Sequence, residues 1–220
     1  MSNINPQLMQ WLAATGFERL PGVFVTGTDT GVGKTWVSTR LIKVLRAIGR
    51  DITPRKPAES GWSDTDVTLS DTWQLSQVAG VNPEMVCQNR FRAPLSPPRA
   101  ALLEGKHLQI GTLVQQCREG LSAGQFLLVE GAGGFYSPLA DDGLNADLAV
   151  ALGLPLLVVA EDRVGCINHI LLVVEAAQRR NLTVAGIVLN QRQPAPAGMD
   201  NATDLRGYIS IPILPALALG

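Results

Sequence analysis

Cysteine and histidine are scarce in this chain of 220 residues. Its three cysteines, Cys87, Cys117 and Cys166, stand far apart and form no Cys-x-x-Cys pair, which excludes a disulfide framework and a cysteine-based zinc site. Two histidines, His107 and His169, cannot build a His-rich metal centre. Any metal must then be held by oxygen donors, the coordination that magnesium prefers. Net charge is also small. Lys and Arg number 18 against 19 Asp and Glu, and no basic run concentrates the field that would attract nucleic acid or an anionic membrane. The longest apolar stretches, such as Leu152 to Ala160, fall far short of the ~20 residues that cross a bilayer. Met1 to Leu20 lack the basic start, apolar run and small-residue cleavage site of a secretory leader, so a cytoplasmic location is expected. What is present, 46% hydrophobic and 17% charged residues, suits one globular domain over residues 1–220 with a well-buried core.

After a polar N-terminal lead, GVFVTG at Gly22–Gly27 is a β-branched and aromatic run closed by glycine, and apolar residues recur at helical spacing from Lys34 to Ile48. Asp51–Lys56, Phe126–Glu130 (FLLVE), Leu156–Ala160 (LLVVA) and Val184–Leu189 give further strands. Asn168–Arg180 is predicted as a helix with Leu171, Leu172 and the 174–177 stretch inward and Arg179 and Arg180 in the last turn, where the dipole favours cations. Between Pro57 and Pro98 the apolar pattern weakens, and loops are expected around a single helix at Asp71–Val78. A loop over Gln191–Gly198 precedes a final short segment at Ile211–Leu214. Continuous apolar strands alternating with helices predict an α/β fold, a mostly parallel sheet flanked by helices on both faces.

The stretch GTDTGVGKT, Gly27–Thr35, follows a predicted strand and opens a predicted helix, the context of a phosphate-binding loop. Gly31, Val32 and Gly33 let backbone N–H groups turn toward phosphate oxygens at the positive end of the helix. Lys34 can reach the outer phosphates, the Thr35 hydroxyl can ligate magnesium, and Trp36 follows in the first turn. The chain is therefore expected to be a P-loop domain that binds ATP. Glu130, after four apolar residues at a strand end, places a carboxylate at the sheet edge where ligands of open α/β folds collect. Burying it there is costly without a partner, which fits a metal ligand.

Five residues rather than four separate Gly27 from Gly33-Lys34-Thr35. In this longer form the loop resembles that of the dethiobiotin synthetase family. KPAESG at Lys56–Gly61, VEGAGGFYSPL at Val129–Leu139 and VGCINH at Val164–His169 match the same family in order. The resemblance implies an ATP-dependent cyclo-ligase of biotin biosynthesis. Such an enzyme joins CO2 to 7,8-diaminopelargonate and closes the ureido ring of dethiobiotin, with Mg2+ as cofactor and a homodimer as assembly. It also implies that Lys34 and Lys56 are catalytic, Lys56 standing between the γ-phosphate and a carbamate. Thr35, Glu130 and Asp71 would hold the metal, with Asp64 and Asp66 as neighbouring alternatives to Asp71. Ser60 would bond the substrate, Asn168 would meet its carboxylate across the dimer interface, and Asn190 would read the adenine edge. Plainer roles compete at several positions: a turn for Ser60, a helix start for Asp71, a helix cap for Asn168 and packing for His169.

The sequence departs from the family pattern at Gly31, where several members are acidic, and at Pro98, in place of a usual histidine. It also runs only a few residues past IPILPAL, where many relatives continue into a helix near the base. A switch ATPase of the partition or cell-division kind is the competing class. Its extra lysine early in the loop is absent here, where Asp29 stands.

Overall fold

The computed structural model describes residues 5–218. It begins with an element the sequence pattern does not predict, helix α1 (Pro6–Thr15), in place of a polar lead. Asn5 accepts the Leu8 N–H, a proline occupies the first turn, and Gly16 at φ 67° ends the helix. Only Leu8, Trp11 and Leu12 turn inward, too few apolar residues to stand out by periodicity.

The chain continues as β1 (Gly22–Gly27), α2 (Lys34–Ala47), β2 (Ile52–Arg55), β3 (Glu59–Ser60), α3 (Asp71–Ala79), α4 (Pro83–Val86), β4 (Arg90–Phe91), α5 (Pro97–Leu103) and α6 (Ile110–Arg118). It then forms β5 (Phe126–Gly134), a small antiparallel pair β6 (Pro138–Ala140) and β7 (Gly143–Leu144), α7 (Asn145–Leu152), β8 (Leu156–Glu161), α8 (Cys166–Arg179), β9 (Val184–Gln191), α9 (Asn201–Arg206) and β10 (Ile213–Ala218).

Six strands form one sheet in the order β10-β9-β8-β1-β5-β2, and every pairing within it is parallel. The strand period of two divides each strand between two cores. Phe24, Leu127, Val129, Val158 and Ile187 face one side, where Leu113 of α6, Leu148 of α7, Ile170 of α8 and Leu205 of α9 pack. Val23, Val25, Phe126, Leu128 and Val159 face the other, against Leu12 of α1, Leu41 and Leu45 of α2 and Leu75 of α3. Coverage on both sides explains why these strands read as unbroken apolar runs. No helix among the described residues is long and apolar enough to cross a membrane.

Leu172 of α8, expected to face inward, is 57% exposed, and two further expectations also differ from the structure. The segment from Pro57 to Pro98 is not mainly loop around one helix: it also holds α4 and the β3–β4 pair. Two-residue strands carry no period, and these are fixed by remote bonds such as Glu59 N–H to Asn89 O at 2.9 Å. Helix α8 starts at Cys166 behind Gly165 (φ 88°), so Asn168 lies inside its first turn and does not cap it.

Candidate active site

The phosphate loop closes at Gly33, whose φ of 91° lies in the left-handed region, and no side chain caps the start of α2. A Cβ on Gly33 would sit 2.1 Å from Asn190 Nδ2, so the close approach of β9 to the loop requires glycine. That Nδ2 donates to Val32 O at 2.8 Å, whereas Asn190 Oδ1 is buried without a partner. Lys34 bends back with its ammonium 3.4 Å from Asp29 O. Trp36 lies in the same first turn, its ring beneath the Arg40 guanidinium at 3.4 Å from the centroid. A cavity of about 450 Å3 opens here, lined by Gly31, Gly33, Lys34, Thr35, Trp36, Lys56, Ser60, Asp71 and Asn190.

Beneath its floor lies a knot of hydroxyl, ammonium and carboxylates. Glu130, 0% exposed at the end of the apolar part of β5, accepts from Lys56 Nζ at 2.8 Å, Thr35 Oγ1 at 2.7 Å and Ser38 Oγ at 2.7 Å. Asp71 accepts from the same Lys56 Nζ at 2.6 Å and the same Thr35 Oγ1 at 2.6 Å. Thr35 has a single proton, so it serves one carboxylate at a time. Burial alone would lower the Lys56 ammonium, but Asp71 and Glu130 outweigh it and hold the group above its ordinary value. Burial would raise Asp71, and Lys56 reverses that, leaving its carboxyl below the usual range. Lys34 fares differently: burial first, and then the charge of Lys56, lower it to about 8.

Of the three aspartates in this region, Asp71 alone reaches Thr35. Asp64 pairs with Arg92 at 3.0 Å on the surface, and Asp66 is exposed ahead of a short turn. Ser60 lines the main cavity and also a second one of about 420 Å3, which runs between the Pro94–Pro97 turn and Gly133–Pro138. Asn168 is exposed on α8 and lines neither cavity of its own chain.

Several site residues escape sequence reasoning. Ser38 lies four residues after Lys34 on the buried face of α2, so helical spacing from the lysine was a usable signal. Arg192, at the cavity rim, bonds the Gly31 carbonyl, and Glu59 caps α3 from twelve residues upstream. Asn145, fully buried, staples the GAGG turn by donating to the Ala132, Gly134 and Ser137 carbonyls and accepting from Ala132 N–H at 3.0 Å. A Cβ at Gly131 would lie 2.6 Å from its Oδ1, which accounts for the small residue after Glu130.

A family model described as an AAA domain matches residues 21–218. The ATP-dependent dethiobiotin synthetase BioD of Anaeromyxobacter sp. (strain K) is 47% identical over 175 residues, covering 79% of this chain and 78% of that protein. The ATP-dependent dethiobiotin synthetase BioD of Caulobacter vibrioides (strain NA1000 / CB15N) is 41% identical over 182 residues, covering 80% and 83%.

Proposed function

Because the chain belongs to the ATP-dependent dethiobiotin synthetase family, we propose that its two cavities hold ATP and a vicinal diamino acid so that a carbamate oxygen meets the γ-phosphorus. It is an ATP-dependent ligase of biotin biosynthesis. Its substrates on this reading are 7,8-diaminopelargonate, CO2 and ATP. One diamine nitrogen adds to CO2 and loses a proton, giving a carbamate. A carbamate oxygen then attacks the γ-phosphorus, ADP departs, and a mixed carbamic–phosphoric anhydride remains. The second amine attacks the carbamate carbon, phosphate leaves, and the ureido ring is closed. Little bond chemistry is asked of the protein, and positioning with charge neutralisation supplies the catalysis.

In this reading the N–H groups of Gly31, Val32, Gly33, Lys34, Thr35 and Trp36 surround the phosphates, and the Lys34 ammonium balances the outer ones. Lys56 faces both the transferring phosphoryl group and the carbamate, where a retained charge is needed, in keeping with carboxylates that hold it protonated. Asn190 Oδ1, buried and unpartnered, is suited to accept from the adenine amino group. Ser60, shared by both cavities, orients the diamine.

The donor set suits magnesium: Thr35 Oγ1 within 2.7 Å of carboxylate oxygens from Asp71 and Glu130 is an all-oxygen cluster already turned toward a cation. Thr35, Asp71 and Glu130 would hold the ion, which when bound neutralises phosphate charge. Val164, Gly165 and Asn168, exposed at the start of α8, fit assembly as a homodimer in the cytoplasm, with Asn168 turned toward the partner copy's substrate carboxylate.

The observation that carries this reading is Lys56 pinned between Asp71 and Glu130 beside Thr35 at the mouth of the phosphate loop. Its test is ADP release with and without diamine and bicarbonate. Release that requires both is expected. Diamine-independent turnover would indicate a switch ATPase and no turnover a degenerate site, and either would overturn the assignment.

A further inference from the structure

We propose that Glu59 is a positioning residue for Asp71, fixing that carboxylate by capping the helix that carries it. Asp71 is the first residue of α3, so its backbone N–H and those of Thr72 and Trp73 have no partner within the helix. The hydroxyl of Ser70, the residue before the helix, accepts from Trp73 N–H, at 3.2 Å. The other two are taken by a residue twelve and thirteen positions earlier in the chain. Glu59 Oε1 accepts from Asp71 N–H at 2.7 Å, and Oε2 accepts from Thr72 N–H at 3.1 Å. The Ser70 hydroxyl, at 3.1 Å, and the Thr72 hydroxyl also donate to Oε2. Glu59 is buried, and its charge is met by the positive end of a helix and by hydroxyls.

Capping alone would make Glu59 a stability residue. Its place in the chain gives it more to do. Lys56 and Glu59 lie on the same short stretch that runs from the end of β2 into β3, and they hold Asp71 from opposite ends: the Lys56 ammonium grips its carboxylate at 2.6 Å while the Glu59 carboxylate grips its backbone at 2.7 Å. The stretch itself is anchored elsewhere, through Lys56 N–H to Val86 O at 2.7 Å and Glu59 N–H to Asn89 O at 2.9 Å. Ser60, adjacent to Glu59, lines both cavities. One anchored stretch thus sets the distance from the diamine contact to the carboxylate of Asp71. A partner that orients a metal ligand from behind is commonly worth about 10- to 100-fold in metal affinity.

The inference rests on the proposed role of Asp71 as a metal ligand, and its test separates the two. Mn2+ binding in the presence of a nonhydrolysable ATP analogue, followed by paramagnetic resonance without turnover, is measured alongside the thermal midpoint. Glu59→Ala is expected to weaken Mn2+ binding about tenfold. Glu59→Gln should restore most of it, since its amide oxygen still accepts from Asp71 N–H. Thr72→Val, which removes one donor to Glu59 but leaves the Asp71 bond, should lower the midpoint and leave Mn2+ affinity unchanged. In an Asp71→Asn background Glu59→Ala should add nothing. Should Glu59→Ala not fold, Glu59→Asp, too short to reach the helix, takes its place with the same expectation.

Unchanged Mn2+ affinity in Glu59→Ala, or a loss that adds in full to that of Asp71→Asn, overturns the proposal while leaving Asp71 as a ligand. Unchanged affinity in Asp71→Asn alone removes the ligand assignment and the proposal with it.

Discussion

Lys34 and Lys56 bring the same charge into one cavity, and their surroundings act on them in opposite senses. Two carboxylates secure the Lys56 ammonium, whereas Lys34 is buried facing Lys56 and falls to about 8. Because its folded value lies below the ordinary 10.5, the unfolded chain binds more protons between about 8 and 10.5. The cost of burying charged Lys34 is therefore present below about 8 and is relieved as pH rises through that window. A triphosphate needs the charged form. Nucleotide affinity should decline as pH rises past about 8, and binding there should take up a proton, seen as a buffer-dependent heat in calorimetry. Affinity that is flat to pH 10, with no proton uptake, would count against Lys34 as the phosphate cation.

Lys56→Ala strands Glu130, which is 0% exposed, beside Asp71, which is 35% exposed. Removing one partner of a buried pair costs about 3 to 5 kcal/mol, and Asp71's access to water places the expectation near 3. Denaturant unfolding checks that figure. Turnover should fall much more than ATP affinity, because the ammonium acts on charge that moves during transfer. At this scale the sequence was most readable where one residue's chemistry is obligatory. Lys34, Thr35 and Lys56 line one cavity, and Glu130 lies beneath its floor. Ser38 was not singled out although its helical spacing from Lys34 marks it, and Glu59 was not because its partners on α3 lie beyond any local pattern.

Among the elements, strands β1, β2, β5, β8 and β9 and helix α2 announced themselves through burial on both faces or at regular spacing. Helix α1 did not, since three inward residues in ten give a faint stripe. Its packing is nonetheless specific: Trp11 lies against Gly186 of β9, where a Cβ would come within 2.5 Å of the ring. Trp11→Ala should destabilise the fold by about 3 to 5 kcal/mol. ATP affinity should be untouched, because α1 packs on the sheet away from the cavity. A loss of affinity that stabilising conditions do not recover would show that α1 belongs to the site. The phosphate loop answers to a different constraint. Gly33→Ala should abolish nucleotide binding while the protein stays folded by circular dichroism, because the added methyl meets Asn190 and the backbone is in the left-handed region.

Considered whole, the molecule gathers its chemistry at one edge of the sheet. Lys34 follows β1, Lys56 follows β2, Glu130 lies on β5 and Asn190 on β9, so residues spread over most of the chain meet at the carboxyl ends of parallel strands. That convergence is why an α/β pattern and a few motifs made the architecture and the main site legible together. The strand order and the β3–β4 support under α3 depend on long-range pairing, which composition and spacing do not encode.

Oxygen labelling reports whether a carbamate oxygen attacks the γ-phosphorus. In a rapid single turnover with 18O-labelled CO2, diamine and unlabelled ATP, the released phosphate should carry one labelled oxygen and the new ureido carbonyl the other. Phosphate that draws its new oxygen from water instead would mean that the enzyme hydrolyses ATP without activating a carbamate, and would rule out carbamate attack.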